Sequence, residues 1–225
     1  MMKITFLGQA GWLFETDNIK IMIDPYLSDS VEKVNSKNFR RVSVNKEIFF
    51  TKPDIMVFTH NHLDHFDPET VSRFIGEDTR ITVLAPLSVW NDVRKYGGDN
   101  NYVMFNRHTT WTQNGVKFTA VKAEHSDEYA IGVIIEAEAR KYYITGDTLY
   151  NAEIFKDIPD DIFALFLPIN GVGNNMNMTD AKLFAEMVNA KYTIPMHVGM
   201  FDEVNSDEFE CKNKLVINIY KEIKL

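Results

Sequence analysis

Apolar and polar positions alternate from the first residues of the chain, and turn residues break the alternation at short intervals. "KITFLG", "GWLFET" and "NIKIMIDP" read as three strands, with Asp17-Asn18 turning the second into the third, so an antiparallel meander opens the chain. A polar, irregular stretch from Ser28 to Lys52 follows, and it fits either a lid over a site or a surface excursion. "PDIMVFT" is then a continuous apolar run of strand length, as expected of a strand buried on both faces. Asp67-Pro68-Glu69 marks a helix start: Asp67 as N-cap, Pro68 in the first helical position, Glu69 as the acid of the first turn. "ITVLAP", a helix from Ser88 towards Tyr96 and a break at Gly97-Gly98 come next. Further strands are expected in "VKFTAVKA", "AIGVIIEA", "KYYITG" and "DIFALFLPI". A helix from about Asp180 to Val188, capped by Thr179, and "YTIPMH" complete the pattern. This order predicts an α/β fold with two packed sheets and helices outside them, built as a single domain over residues 1–225.

The chemistry gathers where the "PDIMVFT" strand stops, in "FTHNHLDHFD". Residues two apart in an extended segment point the same way, so His60 and His62 can approach one metal together while the turn sends Asp64 and His65 elsewhere. One short loop can therefore serve two metals. Crowded histidines with no metal would have to stay solvated or repel one another when protonated. His125 in "AEHSDE", Asp147 in "ITGDT" and His197 in "IPMHVGM" stand at further strand ends, where scaffolds place reactive side chains. Taken singly, each of these three reads as an ordinary surface or core residue.

Composition narrows the options. Hydrophobic residues are 45% and charged residues 25% of the chain, the balance of a globular protein. The formal charge of −8 and the lack of any lysine or arginine run argue against a nucleic-acid partner. No apolar stretch approaches the roughly 20 residues that span a bilayer, the opening "MMKITFLGQAGW" is no signal peptide, and the lone Cys211 forms no intrachain disulfide. A cytoplasmic setting, no membrane partner and one small-molecule substrate are the expectations; homo-oligomerisation is left open.

The motif His60-x-His62-x-Asp64-His65, followed in order by His125, Asp147 and His197, resembles the hallmark of the metallo-β-lactamase superfamily. "PINGVGNNMNMTDAKLFAEMV" and "TIPMHVGMF" are most similar to its subgroup containing L-ascorbate-6-phosphate lactonase and related metal-dependent hydrolases. The resemblance implies a four-layer αβ/βα sandwich, two mixed sheets with outer helices. It also implies His60, His62 and His125 on one divalent ion, Asp64, His65 and His197 on a second, and Asp147 between them. Asp24 in "MIDP" would orient a ligand by hydrogen bonding. Imidazole and carboxylate donors suit zinc, manganese or iron; zinc is the expectation, with manganese close behind because the resembled lactonase is associated with it. Two such ions sharing a water bring its pKa towards neutrality, so the implied activity is hydrolysis of an ester, lactone or phosphodiester in a small substrate that carries or lacks a phosphate. Asp64 and Asp147 would be the catalytic carboxylates. The alternative is a metal-binding or ligand-sensing protein of the same fold without turnover.

Asn174, Asn175 and Asn177, near a helix start, are candidate substrate contacts; a backbone-driven turn explains the same residues equally well. Trp12, Tyr26 and Phe201 are candidate pocket walls or packing residues. His108 and Cys211 have no place in the ligand order.

Overall fold

The computed structural model describes residues 1–225. In chain order its strands are β1 (Lys3–Gly8), β2 (Gly11–Glu15), β3 (Lys20–Ile23), β4 (Ile55–Val57), β5 (Thr82–Ala85), β6 (Asn101–Met104), β7 (Thr110–Gln113), β8 (Val116–Lys122), β9 (Ile131–Ala137), β10 (Arg140–Ile144), β11 (Ile162–Pro168), β12 (Tyr192–Met196) and β13 (Glu222–Lys224). The helices are α1 (Ser30–Val34), α2 (Pro68–Val71), α3 (Leu87–Val93) and α4 (Met178–Val188).

Two sheets form, one in the order β13-β1-β2-β3-β4-β5-β6 and the other β12-β11-β10-β9-β8-β7. Each begins in sequence as an antiparallel meander and continues as parallel strands: β1 to β3 then β4 to β6 in the first, β7 to β10 then β11 and β12 in the second. The two halves of the chain thus repeat one architectural plan that no sequence repeat announces.

Period-2 alternation with both faces apolar explains the layers. Ile21 and Ile23 of β3 and Ile55 and Val57 of β4 face the other sheet, where Tyr142, Ile144, Ala164 and Phe166 meet them in one central cluster. Met22 and Met56 point the opposite way and pack with Val89 and Val93 of α3. Tyr143, Leu165 and Leu167 do the same beneath Ala181, Phe184 and Val188 of α4. Helix, sheet, sheet and helix are therefore stacked as the expected four-layer α/β sandwich.

Three strands escape the sequence pattern. β6, β7 and β13 lie at sheet edges, and none has a fully buried residue. With only one neighbour and no buried face, such segments need little apolar content, which is the signal that hydrophobic periodicity depends on. The Asp67 cap stands as expected: its carboxylate accepts from the backbone N–H groups of Glu69 and Thr70, with Pro68 next in line. The cap of α4 is a correction. Asn177, not Thr179, holds it, its side-chain oxygen accepting from the N–H of Asp180 at 2.9 Å.

Candidate metal centre

β4 delivers the loop that follows it at a fixed height above the sheet, and Asp24, just beyond β3, fastens it there. The Asp24 carboxylate accepts from the backbone N–H of Thr59 at 2.8 Å, from the Thr59 hydroxyl at 2.5 Å, and from His65 Nδ1 at 2.8 Å. That last bond fixes the His65 tautomer and turns Nε2 inward. The N–H groups of His65 and Phe66 both donate to the His62 carbonyl, closing the turn that separates His62 from His65. Asp24 is itself fully buried, so its role is to support the loop and not to meet a ligand from solvent.

The other side chains arrive from the ends of β8, β10 and β12. Asp147 follows Gly146, which has φ +61; an added Cβ there would lie 2.9 Å from the Ile131 carbonyl and 2.9 Å from Thr59 Cβ. Only glycine lets the Asp147 turn approach the histidine loop so closely. His197 has φ 60 and donates its backbone N–H to the Gln9 carbonyl at 2.6 Å.

Three close groups of side chains result; one, Asp24 with His60 and His65, includes the carboxylate that supports the loop, and the other two are candidate ion sites. Ligating atoms of His60, His62, His125 and Asp147 all lie within 4.8 Å of one another, and so do those of Asp64, His65 and His197. Asp147 links the two groups: Oδ1 is 3.2 Å from His65 Nε2, and Oδ2 is 3.2 Å from His197 Nε2 and 4.0 Å from His60 Nε2. His60 Nε2, His65 Nε2, His125 Nε2 and Asp147 Oδ1 are buried atoms with no hydrogen-bond partner. Buried polar atoms are seldom left unmatched without a functional reason, and four converging on one spot, all good donors to a divalent ion, match the demands of a metal centre.

The electrostatics sort the histidines into two kinds. Burial drives His60 well below the ordinary imidazole pKa, with neighbouring His65 adding to the effect, and burial lowers His125 to about 4. Burial also opposes charge on His65 and His197, but there the carboxylates win. Asp147, Asp64 and Asp24 hold His65 well above its ordinary value, and Asp147 with Asp64 holds His197 at about 9. Burial likewise favours neutral Asp64 and Asp147, yet His65 and His197 outweigh it and keep both carboxyls well below the usual range. Without metal, His65 and His197 are therefore biased towards the charged form and His60 and His125 towards the neutral one.

Three carboxamides that the motif does not include complete the surroundings. Gln9 is 2% exposed; its Nε2 donates to Asp64 Oδ2 at 2.8 Å and stands 3.1 Å from the ring nitrogens of His197. Asn170 meets His197 Nδ1 at 3.0 Å. Asn175 donates to Asp147 Oδ2 at 3.1 Å and is 4% exposed, which makes it a holder of the carboxylate more than a group open to substrate. The only hint of Gln9 in the sequence is its place between two glycines in "GQAG", a turn signal.

A cavity of about 290 Å³ opens over the centre, and Gln9, His62, Asp64, Asp147 and His197 lie in its wall. Of the expected substrate contacts, Asn174 and Asn175 line it. Asn177 does not; its amide is spent on the α4 cap, where it bonds Asp180 twice. Trp12 is core packing, fully buried between Phe6 at 4.4 Å and Phe166 at 4.7 Å. Phe201 lines the cavity, and buried Tyr26 backs it at 5.5 Å. The polar stretch 28–52 supplies Val31 and Asn38 to the same wall. His108 is exposed and pairs with Asp157 at 3.2 Å.

Comparison with known proteins follows the same lines. A family model described as beta-lactamase superfamily domain matches residues 20–198. The chain is 27% identical to a UPF0173 metal-dependent hydrolase of Carboxydothermus hydrogenoformans, over 95% of this chain and 92% of the relative. Its fold matches that of a metallo hydrolase from the archaeon Ignicoccus hospitalis with a TM-score of 0.78 at 20% identity, covering 99% of this chain and 97% of the other. The isothiocyanate hydrolase from Delia radicum gut bacteria superposes with a TM-score of 0.74 at 15% identity, over 100% and 99% of the two chains.

Proposed function

Because the chain belongs to the beta-lactamase superfamily domain family, whose similar members include proteins named as metal-dependent hydrolases, we propose that it hydrolyses an ester, lactone or phosphodiester bond in a small substrate with the help of two divalent ions. The observation that carries this reading is the set of unpartnered, buried Nε2 atoms of His60, His65 and His125 facing Asp147 Oδ1. His60, His62 and His125 would hold one ion, Asp64, His65 and His197 the other, and Asp147 both. Zinc is the first candidate, with manganese and iron served by the same donors. When bound, the ions supply a water acidified towards neutral pH and Lewis-acid stabilisation of a developing oxyanion.

The protein's own residues do the rest. Asp24 keeps His65 Nε2 inward, and Asn175 holds Asp147 by the oxygen that His197 also approaches. Gln9 pins Asp64 by Oδ2, and Asp64 lines the cavity, where it would orient the attacking water. His62 is exposed and Asp64 half-buried, and both line the cavity, so the reacting end of the substrate would lie beside them.

His62→Ala and Asp64→Ala test this reading against a panel of lactones, aryl esters and phosphodiesters. Both variants are expected to lose metal and to reduce hydrolysis at least about 100-fold, the scale on which groups at a charged reaction centre act. A variant with full metal content and full turnover would refute the ligand roles. Metal-loaded wild-type protein that turned over nothing in the panel would favour a binding protein of the same fold.

A further inference from the structure

The wall of the cavity beyond the ligand cluster says what kind of molecule fits it. None of its fourteen lining residues is lysine or arginine. Asn38, Asn170 and Asn174 offer carboxamides, Val31 and Phe201 offer apolar surface, and Asp202 sets a carboxylate at the rim. The two arginines of the neighbouring segment lie outside this wall, and although Arg40 Nε has no partner, both are engaged through terminal nitrogens. Arg40 donates to the Tyr26 carbonyl at 2.7 Å and the Tyr220 hydroxyl at 3.3 Å, and Arg41 pairs with Glu203 at 3.4 Å.

Proteins that bind a phosphate or carboxylate remote from the reacting bond meet it with arginine, lysine or a helix N-terminus. The helix that reaches the wall, α1, contributes Val31 and is only five residues long, with Asp29 at its N-cap and Glu32 in its first turn, while the Asp180 N–H at the start of α4 is answered by Asn177. At a net charge of −8 the whole molecule also opposes the approach of anions. The positive charge that an oxyanion needs is concentrated at the ligand cluster, where a neutral carbonyl generates it. A second anionic group farther along the substrate would meet carboxamides, apolar side chains and Asp202, but no lysine or arginine.

We propose that the substrate is a small carbonyl ester or lactone whose body beyond the scissile group carries no negative charge, and in particular no phosphate. This rests on the hydrolase reading above and narrows it. The carboxamides suit hydroxyl or amide groups on the substrate, and Val31 and Phe201 suit an apolar portion. At about 290 Å³ the cavity stands just below the range of small-molecule sites, which run from roughly 300 to 1,000 Å³, as suits a small substrate.

The test reads binding alone. Two non-hydrolysable cyclopentanones of equal size, one with a hydroxymethyl arm and one with a sulfonatomethyl arm, are titrated into metal-loaded protein by calorimetry. Sulfonate is chosen because it ligates metals weakly. The hydroxylated ketone is expected to bind about tenfold tighter or more, the scale of one unpaired like charge. Asp202→Lys is expected to narrow that gap severalfold. Sulfonate binding equal to or tighter than hydroxyl binding in the wild type would overturn the proposal. Failure of the hydrolase reading shows separately, as protein that takes up no metal or hydrolyses no aryl ester.

Discussion

The nitrogens that would hold metal ions in this centre also bind protons. In metal-free protein His197 titrates near 9, above the ordinary imidazole value of about 6.5. Its raised pKa contributes stability that is fully present below about pH 6.5 and is lost as pH rises through about 9. His65 acts in the same direction. His125, lowered to about 4, acts oppositely: it costs stability as pH falls from about 6.5 towards 4. Metal-stripped protein should therefore lose stability as pH rises from about 6.5 through about 9, whereas loaded protein should hold its stability over that range. Urea unfolding of the two forms at half-unit pH steps measures this. A stripped protein whose stability rises from pH 6.5 to 9.5 would contradict the assignment of charged His65 and His197. The first part of the candidate ligand set was legible in the sequence because His60, His62, Asp64 and His65 are neighbours in the chain, whereas His125, Asp147 and His197 joined it only through the family resemblance. Gln9 was not legible. It reaches Asp64 across 55 residues and His197 across 188, and a lone carboxamide in a glycine turn carries no signal of such partners.

Elements were readable in proportion to how much of them is buried. β4 and β11 have apolar side chains on both faces and appear as unbroken runs, and β3 and β10 as shorter apolar stretches after a lysine, whereas the edge strands β6, β7 and β13 draw their order from a neighbour's backbone. The "NGVGNNMNMTD" loop shows the same limit on a smaller scale. Its three candidate asparagines have three tasks: Asn174 lines the cavity, Asn175 holds Asp147, and Asn177 caps α4. Residue type could not separate them, since a carboxamide serves each task equally well. Asn177→Ala should accordingly cost about 1 kcal/mol of stability, the usual worth of an N-cap, and leave hydrolysis unchanged once the protein is folded. A variant of native stability with impaired substrate binding would return Asn177 to the pocket.

At the scale of the whole molecule, the two sheets hold the histidine loop after β4 against the strand ends of β8, β10 and β12, so neither half of the chain owns the centre. His60, His62, Asp64 and His65 come from the first half, and His125, Asp147 and His197 from the second. The layered α/β plan followed from the sequence, as did the positions of these loops; the repeated meander-then-parallel order of the two sheets did not, because architecture can recur without recurrent side chains. The central claim is that this junction holds two divalent ions, and metal content per chain tests it most directly. Elemental analysis of protein purified without added metal or chelator, then after loading with zinc or manganese, should approach two ions per chain. Folded protein that takes up no ion under loading would contradict the account at its core.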